Sequence, residues 1–178
     1  MKTERNIVMK KLKQLLPILL ILAFVFGLAA CGKEEGDGGE SGAKKGLSTS
    51  IQVGGATLKL GGEFTSEIET ALGDPDNVVQ APSCHYDGTD NIYYYSGVTV
   101  YTYMQDDKSI IYSIEVSDAS YPTAEGVKVG MTLDEAKALC GDGAEELANG
   151  AAYTLGEGMK LNLRTADGKI SVIEYYTE

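Results

Sequence analysis

The chain has 178 residues, no tryptophan, eleven tyrosines, three cysteines and one histidine, with 15 basic against 26 acidic side chains for a net charge of −11. That balance argues against a nucleic-acid or anionic-lipid docking surface, and a single histidine excludes a multi-histidine metal centre.

The chain opens with Lys2, Arg5, Lys10, Lys11 and Lys13. An apolar run from Leu15 to Ala30 follows, broken only by Pro17 and Gly27. At about 16 residues it falls short of the ~20 needed to span a bilayer. A basic start, a short apolar middle and small residues before a cut site mark an export signal, here residues 1–30, with Met9-Lys10-Lys11-Leu12 reading as the better signal start than Met1. Leu28-Ala29-Ala30 leads straight into Cys31. This closely resembles the lipobox of bacterial lipoproteins. The resemblance implies that the Cys31 thiol takes a diacylglycerol, the chain is cut before it and the new amino end is acylated. Two acyl chains hold a protein stably on a bilayer, at ~0.8 kcal/mol per buried methylene.

Residues 31–46 read as a flexible tether. The stretch GKEEGDGGESGAKKG has mixed charge, no apolar periodicity and six glycines, too little apolar surface to offset its ordering entropy. Such tethers favour a lipid-anchored protein on the outer face of a Gram-positive membrane, with an outer-membrane lipoprotein as the alternative. Removing residues 1–30, with five basic and one acidic side chain, leaves 10 basic against 25 acidic, a formal charge of −15.

Residues 47–178 form one domain with two copies of a pattern, about 47–118 and 119–178. LKLGGEFTSEIETALGD at Leu58–Asp74 matches VKVGMTLDEAKALCGD at Val127–Asp142, and Ser96–Val116 matches Glu157–Tyr175 in the same order. A short strand pair near Ile51–Leu60 precedes the first copy. Ser66-x-x-Glu69 and Thr132-x-x-Glu135 predict capped helix starts, and Gly73 and Gly141 predict their ends. Strands are predicted at Asn91–Tyr95 and Ala152–Leu155, each before a hairpin. In the hairpins Val98, Val100, Thr102 and Met104 alternate with Thr99, Tyr101 and Tyr103, and Met159, Leu161 and Leu163 with Lys160, Asn162 and Arg164, the period of a strand with one polar face. QDDKS and ADGK are the hairpin turns, Asp167-Gly168 being the stronger signal. The expected fold class is therefore α+β: tandem α-β-β-β repeats forming one antiparallel sheet, with helices packed on one face.

The doubled pattern of Lys-(Leu/Val)-Gly, a capped short helix ending in Leu-Gly or Cys-Gly, and three strands resembles the tandem fold of the beta-lactamase inhibitor protein family. Each copy resembles the BamE-type (SmpA/OmlA) lipoprotein domain, and LGDPDNVVQAPSCHYDGTDNIYYY is similar to a stretch in lipoproteins of gut Firmicutes. The resemblance implies a concave sheet with helices behind it and binding of other proteins. It supplies no catalytic residue, and nothing here matches the inhibitor's target loops.

With Cys31 lipidated, Cys84 and Cys140 are left in a disulfide-permissive compartment. A bond between them would tie the copies together and be worth about 4 kcal/mol; alternatively Cys140 is a small core residue beside Leu139. No catalytic site is expected. Cys84-His85 are adjacent, which rarely gives the geometry a thiol and its base require. Asp87–Asn91 offers oxygen ligands without EF-hand spacing, and the Val53-Gly54-Gly55 and Leu60-Gly61-Gly62 stretches lack a P-loop lysine. Neither a metal nor another cofactor is expected.

Tyrosine remains. Tyr93, Tyr95, Tyr101 and Tyr103 are the candidate binding face, since phenols give large contact area at low entropy cost. The other reading places such rings in the core in lieu of Phe and Trp, and Tyr94 in particular reads as a core ring. The expected function is a membrane-anchored, non-enzymatic protein-binding or envelope-assembly module with a protein partner, no nucleic acid, and the bilayer reached through acylated Cys31. The alternative is an inhibitor of a secreted hydrolase that inserts the Asp87–Asn91 segment.

Overall fold

A computed structural model describes residues 46–178, apart from His85 and Glu157. The signal segment, the tether up to residue 45, Cys31 and the His85 half of the Cys84-His85 pair lie outside the described residues.

The elements run β1 (Ser50–Val53), β2 (Ala56–Lys59), α1 (Ser66–Leu72), β3 (Asn77–Pro82), β4 (Thr89–Tyr95), β5 (Val98–Gln105), β6 (Lys108–Val116), α2 (Leu133–Cys140), β7 (Glu145–Leu147), β8 (Gly150–Gly156), β9 (Met159–Ala166) and β10 (Lys169–Thr177). β1 and β2 pair as a small hairpin. The rest form one eight-stranded antiparallel sheet in the order β3-β4-β5-β6-β10-β9-β8-β7. Two four-stranded meanders thus meet at β6–β10.

This corrects the expected α+β class. The described residues are mostly β, with 51% strand and 11% helix, and each helix is followed by four strands, not three. The unforeseen strands are β3 and β7, the two sheet edges. Helices of seven and eight residues span only about 10–12 Å at 1.5 Å per residue, while eight strands spread over about 33 Å. Two such helices cannot cover that sheet. The β1–β2 hairpin completes the layer with Ile51, Val53 and Leu58, all buried in the core alongside Val100, Ile111, Ile114, Leu161, Leu163, Ile173 and Tyr175 of the sheet.

The Lys-(Leu/Val)-Gly motif docks this layer onto the sheet. Gly61 N–H donates to the Ile111 carbonyl, and Gly130 N–H to the Ile170 carbonyl, each at 2.8 Å. Both glycines have positive φ, 71° and 91°, a left-handed conformation that a side chain disfavours. The chain therefore turns back at the same place in both halves and hydrogen-bonds the equivalent strand.

The hairpin turns follow their chemistry. Asp106-Asp107 (φ 49° and 63°) and Asp167-Gly168 (φ 52° and 75°) link β5–β6 and β9–β10. Positive φ at both central residues matches the right-handed twist of the flanking strands. At α2, Thr132 accepts from Glu135 N–H at 3.3 Å while the Glu135 carboxylate accepts from Thr132 N–H at 2.8 Å, a complete capping box. At α1 the N-cap is Thr65, not Ser66, with Ile68 N–H at 3.5 Å from its hydroxyl. Glu69 is then one position too far along to close a box.

Candidate functional site

The helices and the β1–β2 hairpin all pack on one side of the sheet, so among the described residues the other side is open. Strand register assigns each tyrosine to a side. Val100 is fully buried in the core, and it pairs with Tyr93; Val98 pairs with Tyr95. Tyr93 and Tyr95 therefore lie on the covered side, where Tyr93 meets Phe64 with ring centroids 4.7 Å apart. Burial, then Glu69, pushes the Tyr95 hydroxyl up to about 12. Tyr94, expected in the core, pairs with Thr99 on the open side and is 37% exposed. Tyr101 and Tyr103 lie on the open side, as their alternation predicts. Of the four candidates, the structure brings Tyr101 and Tyr103 together and separates Tyr93 and Tyr95 from them by the thickness of the sheet.

Three further tyrosines join them. The β5–β6 register slips between Tyr101 and Thr102 of β5, which pair with Ser113 and Ile111 of β6. Tyr112 is the extra residue of this β-bulge, which re-aims its side chain onto the open side. Tyr86, from the β3–β4 loop, stacks on Tyr103 with centroids 3.6 Å apart and planes 6° from parallel. Its hydroxyl shares a 3.1 Å hydrogen bond with Thr177 of β10. Tyr112 is tilted against Tyr86, Tyr101 and Tyr103 at 5.6–6.2 Å. Tyr176 reaches the same side, because it pairs with Ser113. The sequence signal for Tyr112 is the break in alternation at Ile110–Ile114; Tyr86 carries none.

Charged groups occupy the centre of this side. Glu115 and Glu174 face each other directly across β6 and β10. They are equivalent residues of the two matched segments, so the halves meet at a pair of like charges. Arg164 Nη2 donates to Glu115 at 2.6 Å, and its Nε lies 4.0 Å from Glu174. Tyr101 O–H donates to Glu115 at 3.2 Å, and Asn162 donates to Glu174 at 3.1 Å. Burial, then Glu115, pushes the Tyr101 hydroxyl up to about 12. Tyr112 O–H donates to Asp90 at 3.2 Å, and burial followed by Asp90 raises that phenol further. Tyr86, Tyr101, Tyr112, Glu115, Glu174 and Tyr176 border a cleft of about 300 Å³.

The other predicted features fall elsewhere. Asp90 and Asn91 are buried in β4, so the Asp87–Asn91 segment is not a free loop. Cys84 and Cys140 are both free thiols in this structure. Cys84 sits in the loop leaving edge strand β3, whereas Cys140 ends α2 beside Tyr153 of β8, near the opposite edge. Cys140 packs against the core, and burial, then Glu125, pushes its thiol up to about 11. Among the described residues no cluster of three or more His, Cys, Asp or Glu side chains could hold a metal, and no helix is long and apolar enough to cross a membrane.

No protein-family model matches the chain, and no curated protein matches it. Among solved structures, it is similar to an extracellular protein containing a SCP domain from Bacillus anthracis str. Ames, at 9% identity and a TM-score of 0.45. The match covers 85% of this chain and 50% of that one, so this chain spans about half that protein's length. A likeness at that level carries no argument about fold or function.

Proposed function

We propose that the protein is a lipid-anchored, non-enzymatic binding module that presents the open side of its sheet to a protein partner. The observation that carries this reading is the set of six tyrosines, Tyr86, Tyr94, Tyr101, Tyr103, Tyr112 and Tyr176, on the side that no other element among the described residues covers. Tyrosine is enriched at interfaces because a rigid ring buries much area while its hydroxyl stays hydrogen-bonded. The formal charge of −15 on residues 31–178 favours a basic partner surface and speeds its encounter. The lipobox-like Leu28–Cys31 stretch supports tethering at the outer face of a cell membrane, in a Gram-positive cell by preference and as an outer-membrane lipoprotein otherwise.

Crosslinked capture from cells expressing the full chain should recover a stoichiometric partner that is lost in Tyr101→Ala/Tyr103→Ala. Undiminished capture by that variant would remove this side of the sheet from consideration. Labelled palmitate should mark the wild type and leave Cys31→Ala unmarked; equal labelling of both would overturn the anchor.

A further inference from the structure

We infer that the cleft between Tyr101, Tyr112 and Tyr176, bounded by Glu115 and Glu174, receives a single basic side chain, arginine or lysine, from the protein partner. This deepens the binding reading above and rests on it. About 300 Å³ suits one side-chain head and its methylene stem. Three aromatic rings from three different strands border the space, and ring faces attract cations. Arginine and lysine are the side chains that place apolar methylenes against such rings and a positive head beside a carboxylate.

The local charge count points the same way. Glu115 and Glu174 face one another, an arrangement that costs stability unless a cation offsets it. Arg164 supplies one such charge, held close to Glu115 and 4.0 Å from Glu174. Lys160, the next cation on this side, is 3.7 Å from both Glu145 and Glu178. Asp90 adds a third carboxylate behind Tyr112. It is 8% exposed, and its Oδ1 has no hydrogen-bond partner among the described residues. Glu115 and Glu174 therefore share one guanidinium, with Asp90 beyond Tyr112, leaving an excess of negative charge at an aromatic-walled opening. Tyr101 and Tyr112 direct their hydroxyl protons to Glu115 and Asp90, which holds the rings in place.

The test uses the full chain with ¹³C-labelled tyrosine rings, titrated with N-acetyl-arginine methylamide, N-acetyl-lysine methylamide and the uncharged N-acetyl-citrulline methylamide. The Tyr101, Tyr112 and Tyr176 ring resonances should shift saturably with arginine or lysine, with citrulline about tenfold weaker. Glu115→Gln and Glu174→Gln, each of which relieves the facing like charges and should fold, should each weaken arginine binding by about tenfold. Equal binding of citrulline, or no saturable shift in these rings, would overturn the inference. Putrescine binding about tenfold tighter than either blocked amino acid would assign the cleft to a free amine and overturn it too. If the titration fails while Tyr101→Ala/Tyr103→Ala still abolishes partner capture, only this inference falls. If capture survives that variant, the broader reading falls.

Discussion

Tyr153 shows how a single hydroxyl ties this fold to pH. Its ring is buried in the core, and its oxygen is buried without a hydrogen-bond partner among the described residues. Burial, then Cys140 and Glu146, pushes the phenol from an ordinary value of 10.0 up to about 12. A folded value above the unfolded one means that the contribution is intact below about pH 10 and is lost as pH rises through about 12. Denaturation midpoints should therefore hold steady up to about pH 10 and fall steeply beyond it. Tyr153→Phe should shallow that fall. At neutral pH it should change stability by less than about 0.5 kcal/mol, because no hydrogen bond is lost. A loss above about 2 kcal/mol under the same conditions would show that the hydroxyl is partnered in solution.

The two short helices differ in how they begin, and the difference is measurable. Thr132 and Glu135 satisfy each other's backbone donors in α2, whereas in α1 the Thr65 hydroxyl meets its backbone donor, Ile68 N–H, only at 3.5 Å. Capping substitutions cost about 0.5–2 kcal/mol. Thr132→Ala should lie near the upper half of that range and Thr65→Ala near its foot, as read by urea denaturation. Equal losses would show that the reciprocal Glu135 contact adds nothing. The β1–β2 hairpin contributes in another way: its Ile51, Val53 and Leu58 bury apolar surface that helices of two turns are too short to bury.

For the molecule as a whole, the β6–β10 seam is the decisive contact, because it joins the meanders into one sheet. Glu115 and Glu174 meet there, and Arg164 spans them. Removing one member of a partly buried ion network leaves the rest uncompensated. Arg164→Met should therefore destabilise the full chain by about 1–3 kcal/mol, and adding Glu174→Gln should restore at least half of that loss. No restoration would mean that Arg164 acts through packing alone. The same seam gives the open side its two characters. The first half contributes Tyr101 and Tyr103, where the second half places Asn162 and Arg164 at the matched positions.

Much of this is legible along the chain. Alternation separates Tyr101 and Tyr103 from Val98 and Val100, turn chemistry locates both hairpins, and glycines mark both helix ends. These are local effects of backbone sterics and side-chain period, so neighbouring residues suffice to reveal them. The fold class is not legible, because the edge strands β3 and β7 gain their hydrogen bonds only from partners already in the sheet. Nor can period two say which side of a strand meets the core, and so a reading of the chain alone puts Tyr93, Tyr94 and Tyr95 on the wrong sides. The cleft depends on tertiary structure entirely. Arg164 meets Glu115 across 49 residues of sequence, and Tyr86 meets Thr177 across 91, distances over which only the folded sheet brings side chains together.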